Sequence, residues 1–262
     1  MWHRPNLLNT LADFLYAAGV ALLLASALLW AGRGGRFPAL SPVQQVSLAA
    51  PLKYTHPADL EAAFSGASGV LSGNFFTVPL DLVRQRLEAL PWVRTAQVRR
   101  VWPDKLFVEL EEQEPVARWL RPAEGDWPPE WVNRHGEVFE AALPDTLVPR
   151  EVARLQRLPA LSGPPGSALD LLSAYARMRT HFQPYQITPV ALTLSARLAL
   201  SARLSNGLTL EIGRDQPRFP VEARLARFLR LYPEIRARYP ALQRVDLRYP
   251  GGFALLLQRR AP

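Results

Sequence analysis

The chain has 262 residues, enough for two modest domains that each bury a core. It contains no cysteine, which excludes a disulfide framework, thiolate chemistry and sulfur-ligated metal. The formal charge of +8 invites an acidic partner, yet the arginines are spread along the whole chain, as on a solvated surface.

The first predicted element is Phe14 to Ala31, a run of 18 residues without a charge. As a helix it spans roughly 27 Å, close to the hydrocarbon thickness of a bilayer. Trp30 and Tyr16 stand near its ends, where interfacial aromatics belong. Ala17, Ala21 and Ala25 recur at i, i+4 and i+8, a small-residue face that lets another helix approach, although such alanines also simply fill membrane helices. A cleaved signal peptide is the rival, because Ala25, Ser26 and Ala27 imitate a cleavage site. Against it, Leu28, Leu29, Trp30 and Ala31 continue the apolar run. Arg4 and Asp13 precede the segment and Arg33 and Arg36 follow it, so flanking charge does not favour an inside amino terminus.

Val43 to Leu52 is able to form a strand, and Pro57 to Phe64 a short helix with Leu60, Ala63 and Phe64 on one face. Leu80, Val83, Leu87 and Leu90 then recur at helical spacing, with Pro79 suited to the first turn and Asp81 near the positive dipole end. Pro91 stops this helix. From Trp92 the period becomes two, with Ala96, Val98 and Arg100 opposite Gln97, Arg99 and Val101. Pro103 and Asp104 supply a turn, after which Leu106, Val108 and Leu110 alternate with Phe107, Glu109 and Glu111. Leu87, Val98 and Val108 are expected to face inward. Periodicity alone fits any small α+β domain.

The stretch LPWVRTAQVRRVWPDKLFVELEEQEPVARW, Leu90 to Trp119, closely resembles the POTRA signature of the FtsQ/DivIB family of bacterial cell-division proteins. The resemblance implies a β-α-α-β-β module whose last two strands are those just quoted. It also implies an α+β chain ordered as a cytoplasmic tail over 1–13, a transmembrane helix over 14–31, a linker over 32–42, a POTRA domain over 43–114 and a C-terminal mixed domain with an antiparallel sheet over 115–262. By the same resemblance the chain is a single-pass type II protein of the inner membrane at the division septum, with its bulk in the periplasm.

Pro122 to Pro129, with three prolines and Gly125, is a connecting loop. WVNRHGEVF, Trp131 to Phe139, has the turn chemistry of a hairpin, and both it and LPALSGPPG at Leu158 to Gly166 match the family's pattern. Ala168 to Phe182 carries Leu171, Leu172, Tyr175 and Met178 at helical spacing and ends before Pro184. Strands are expected at Val190 to Leu194, Ala196 to Leu204 and Leu208 to Ile212, with Asn206-Gly207 as the strongest hairpin signal. A helix from Pro220 places Val221, Leu225, Phe228, Leu229 and Tyr232 on one face and Arg224, Arg227 and Arg230 on others, a solvated basic flank more than a nucleic-acid surface.

Catalytic constellations are missing from the pattern. His3, His56, His135 and His181 lie far apart, and the H-x-E triplet His135 to Glu137 has no cysteines to complete a zinc deaminase motif. Glu109, Glu111, Glu112 and Glu114 cluster, but the strand they occupy lies beside Arg99, which suggests a cross-strand charge pair. No glycine-rich phosphate loop occurs. No enzyme activity, cofactor, metal, nucleic acid or small-molecule substrate is expected.

The last run, VDLRYPGGFALLLQRR, Val245 to Arg260, begins as a half-buried strand. Pro250, Gly251 and Gly252 interrupt it, and Phe253 to Leu257 is apolar on both faces, an edge that invites pairing. VDLRY matches the family's late signature, and the resemblance implies that this region receives a strand of FtsB, with Tyr249, Gly251, Gly252, Leu256 and Leu257 as the partner-binding positions. Here the chain departs from the family, with Pro250 in place of an acidic residue and Leu257 in place of Trp. FtsB and FtsL are the implied partners, and the implied role is to link early and late divisome proteins and help control septal peptidoglycan synthesis. A central strand already paired on both sides is the alternative for this segment. The rival functions are a POTRA-containing envelope transport factor and a membrane-anchored cell-wall enzyme.

Overall fold

The computed structural model describes residues 5–32, 43, 45–65, 75–121 and 128–257; within the first range, side chains are described from 15 to 29. Helix α1, Pro5–Gly32, has 28 residues, and its side chains from 15 to 29, including Ala17, Ala21 and Ala25, are exposed. Among the described residues no helix is long and apolar enough to cross a membrane. Side chains are described for only 15 positions of the apolar run Phe14 to Ala31, residues 15–29, fewer than the roughly 17–25 of a membrane span.

The chain divides into two compact units. The first comprises Met1–Pro51, Pro57–Leu90 and Thr95–Glu111. The second comprises Leu52–His56, Pro91–Arg94 and Glu112–Pro262.

In the first unit the order is β1 (Gln45–Leu48), α2 (Pro57–Ser65), α3 (Leu80–Glu88), β2 (Val93–Val101) and β3 (Lys105–Glu112). The sheet runs β1-β3-β2, with β1 parallel to β3. This is the β-α-α-β-β order. Leu87, Leu106 and Val108 are wholly buried, Ala96 nearly so, and Val98 is half-buried while Gln97 is exposed, as alternation requires. Two details differ from the sequence expectation. Pro79 is the N-cap of α3 and lies outside its first turn, because its extended ψ of 92° precedes the helix. Arg99 does not pair with Glu109: its guanidinium lies 4.2 Å above the Phe107 ring, a partner on its own face of the sheet.

The second unit is built on a sheet of nine strands in the order β12-β11-β10-β9-β8-β7-β4-β5-β6. Its elements are β4 (Pro115–Trp119), β5 (Glu130–Asn133), β6 (Val138–Glu140), α4 (Pro149–Gln156), β7 (Ala160–Ser162), α5 (Ala168–Phe182), β8 (Pro189–Leu194), β9 (Leu200–Leu204), β10 (Thr209–Gly213), α6 (Val221–Arg238), β11 (Leu242–Asp246) and β12 (Ala254–Leu257). Parallel pairs β7–β8 and β10–β11 are joined through α5 and α6, and the remaining neighbours are antiparallel except β4–β7. The sheet is therefore mixed. Leu171, Met178 and Phe182 of α5 and Leu225, Phe228 and Tyr232 of α6 share one core with Leu192, Ala202, Leu210 and Val245. Asn206-Gly207 forms the β9–β10 turn, with Gly207 at φ +84°. The expected strand from Ala196 starts late, at Leu200, because Ser195 to Leu198 turn the chain back from β8, with Leu198 at φ +59°.

A second core in this unit joins Tyr54, Trp92, Trp131, Ala141 and Leu155. The Glu112 carboxylate accepts the backbone N–H groups of Lys53, Tyr54 and Thr55, fixing the loop that carries Tyr54.

Candidate partner-binding edge

Strand β12 ends the sheet, and its neighbour is β11, with Val245 opposite Leu255 and Asp246 opposite Ala254. Among the described residues no strand lies on its outer side. A row of backbone donors and acceptors is left available there.

The side chains divide between core and solvent. Phe253 and Leu255 pack on the main core, and Phe253 meets Phe228 edge-on at 5.9 Å. Leu256 is 51 % exposed, Leu257 43 % and Tyr249 55 %. Gly251 and Gly252 lie in the β11–β12 connection with nothing within 4 Å of where a Cβ would stand, and neither has a left-handed φ. The fold does not need glycine at either place, so their effect is to leave the backbone open to close approach. The five expected positions thus fall on one edge strand and the loop that leads into it.

Two arginines, Arg227 and Arg248, brace that loop and a third, Arg224, braces the neighbouring β10–α6 connection; the sequence did not single them out for these roles. Arg227 donates to the carbonyl of Pro250 at 2.5 Å. Arg248 grips Asp246 through Nε and Nη2, and the Arg248 N–H donates to Asp246 Oδ1 at 3.0 Å. The guanidinium keeps the Asp246 carboxyl below its usual range, while the carboxylate pushes Arg248 up. Arg224, expected on the solvated flank of α6, is buried instead. Its guanidinium donates to the carbonyls of Ile212, Arg214 and Pro220, which replace water around the charge, and burial lowers its pKa. Gly213, at φ +81°, leaves room for this, since a Cβ there would stand 2.9 Å from Arg248 Cγ and 3.2 Å from Arg224 Nη1. No spacing in the sequence announces contacts that cross from a helix to a distant loop.

The H-x-E triplet lies in a hydrogen-bonded turn. Asn133, buried in the β5–β6 turn, donates to Gln113 Oε1 and Glu137 Oε2 and accepts from the backbone of His135 and Glu137. Glu137 of the H-x-E triplet takes a two-point contact from Arg94, which holds its carboxyl below the usual range. Among the described residues no group of three His, Asp or Glu is placed to hold a metal ion.

What the edge offers is main-chain hydrogen bonding plus apolar contact, the chemistry of a protein that binds an extended segment of another. A first domain of β-α-α-β-β order followed by such a sheet defines the class: a POTRA module followed by a mixed-sheet domain. The family model for the FtsQ-type POTRA domain matches residues 41–113, and that for the C-terminal part of cell division protein FtsQ/DivIB matches 117–248. Similar proteins include cell division protein FtsQ of Burkholderia pseudomallei, 34 % identical over 97 % of this chain and 94 % of the relative, and that of Bordetella pertussis, 33 % identical over 100 % and 95 %. That of Shewanella oneidensis is 37 % identical over 82 % of this chain and 73 % of the relative. The chain belongs to the FtsQ/DivIB family of cell division proteins.

Proposed function

We propose that the chain is a non-catalytic, single-pass protein of the inner membrane that joins early to late divisome components at the septum. It binds FtsB and FtsL and so helps control septal peptidoglycan synthesis. FtsB adds a strand to the outer side of β12, with Tyr249, Gly251 and Gly252 at the approach and Leu256 and Leu257 in apolar contact. The observation that carries this reading is an apolar strand at the edge of a nine-stranded sheet, exposed at Leu256 and Leu257. Backbone pairing supplies affinity and the alternate side chains supply choice of partner. Residues 249 to 257 lie beyond the stretch matched by the family model, so the role of this edge rests on topology and on the motif.

For the anchor, the support is α1 itself. It is 28 residues long, uncharged from Phe14 to Ala31, and exposed at every described side chain, as suits a helix whose solvent is lipid. The bulk of the chain then lies on the periplasmic side, an orientation that follows the family and not the flanking charges. A fluorescent fusion in a strain depleted of the native copy tests the role. A ring at midcell with restored division is expected; uniform envelope fluorescence with filamentous cells would refute it.

A further inference from the structure

The first unit presents an aromatic tip at the end of its sheet where the chain enters from α1. Parallel pairing sets Gln45, the first residue of β1, opposite Lys105, the first residue of β3. The Trp102 to Asp104 turn between β2 and β3 therefore lies at the same end as the start of β1. Trp102 is 70 % exposed there. Arg100, two residues before it, donates to the carbonyls of Phe75, Phe76 and Val78, which draws a second exposed ring, Phe76 at 60 %, alongside the end of β2. Arg99 and Lys105 flank the turn, both exposed. The heptad from Arg99 to Lys105 holds three cations against one anion, Asp104.

We propose that Trp102 and Phe76 seat this end of the first unit in the interfacial layer of the membrane that α1 crosses, with Arg99 toward anionic headgroups. The inference rests on the anchored reading of α1 and goes beyond it. Indole is suited to that layer, since it pairs apolar surface with one N–H donor, and cations beside it gain from the negative surface potential. Chain length enforces proximity. Twelve residues separate Gly32 from Gln45, a reach of at most about 47 Å over thirteen extended steps, so the tip stays near the bilayer at high effective concentration. Weak insertion of two rings suffices under such tethering. The contact would fix which end of the unit faces the membrane.

The chain has no native cysteine, so one nitroxide can report the depth. The full chain is reconstituted into vesicles of phosphatidylethanolamine and phosphatidylglycerol, labelled at Lys105→Cys or, about 13 Å further along β3, at Glu109→Cys. Collision with a water-soluble nickel chelate should be several-fold weaker at 105 than at 109. Trp102→Ala with Phe76→Ala should abolish the difference, while thermal unfolding of this doubly exposed variant stays near the parent. Equal nickel access at both sites, with the chain retained after alkaline carbonate, would overturn the proposal and leave the anchor standing. Release of the chain by carbonate would overturn both. Protection at 105 that arises in detergent, on adding a protein partner, would overturn the lipid assignment in favour of a protein surface.

Discussion

Tyr54 stacks on Trp92 with ring centroids 4.7 Å apart and planes 17° from parallel. Both residues fall within the stretch matched by the POTRA family model, yet both belong to the compact unit that contains Glu112–Pro262. There Trp92 donates from Nε1 to the carbonyl of Ala142 at 2.9 Å and meets Phe139 edge-on. Truncation of a buried aromatic costs about 3–5 kcal/mol. Trp92→Ala should therefore destabilise the second unit by about that amount. A fragment beginning at residue 115 should melt well below one beginning at 43, because it lacks both rings. Equal melting temperatures for the two fragments would show that the stack contributes nothing.

Beside that stack, Glu151 accepts from Arg154 Nε at 2.8 Å and from the Tyr54 hydroxyl at 2.9 Å, and pairs with Lys53 at 2.8 Å. Arg154 first, then Lys53, pull the carboxyl from its ordinary value near 4.5 to about 2. Because the folded value is depressed, the contribution to stability is complete above pH ~4.5 and disappears as pH falls toward about 2. Glu151→Gln should be less stable than the parent at pH 7, and the gap should close across that window. Melting curves taken from pH 7 to 2.5 check it; a gap independent of pH would place the effect in packing.

In the first unit Leu87 is wholly buried whereas Gln97 is exposed on β2. Leu87→Ala is expected to cost roughly 2–5 kcal/mol and Gln97→Ala close to nothing, as read by denaturant unfolding. Similar costs for the two would mean that the strand is shifted by one residue.

Gly136 is a turn residue that resists replacement. It sits at φ +80°, and a Cβ would stand 2.6 Å from that of Leu169. Gly136→Ala should destabilise through strain and a clash with α5, by more than the ~1 kcal/mol typical of point changes. Gly207→Ala shares the φ, at +84°, with open space around it, and should cost less. Thermal unfolding of the two variants gives the ranking.

These contrasts mark where the sequence was informative. Period and punctuation located α3, β2, β3, α5 and the Asn206-Gly207 turn, because each depends on residues near in the chain. The order of nine strands does not, since β4 pairs with β7 across a hairpin and a helix that local pattern cannot place. Leu198 looks like a strand residue by alternation, and only the need to reverse the chain puts it in a left-handed turn. Arg224 looks solvated by its charge, and only the carbonyls of a neighbouring loop make its burial affordable. At the candidate edge, apolarity on both faces of Phe253 to Leu257 was visible in the residues. The grip of Arg227 on Pro250, which holds the loop ahead of it, was not.

The central claim is that β12 binds its partner through its backbone, and Leu256 offers the most direct measurement. Proline there removes one main-chain donor from the edge strand, while valine keeps it and changes only the side chain. With both variants shown to be folded by circular dichroism, pull-down of FtsB should be lost for Leu256→Pro and nearly unchanged for Leu256→Val. Capture of FtsB by folded Leu256→Pro at the parent's strength would contradict strand addition at this edge.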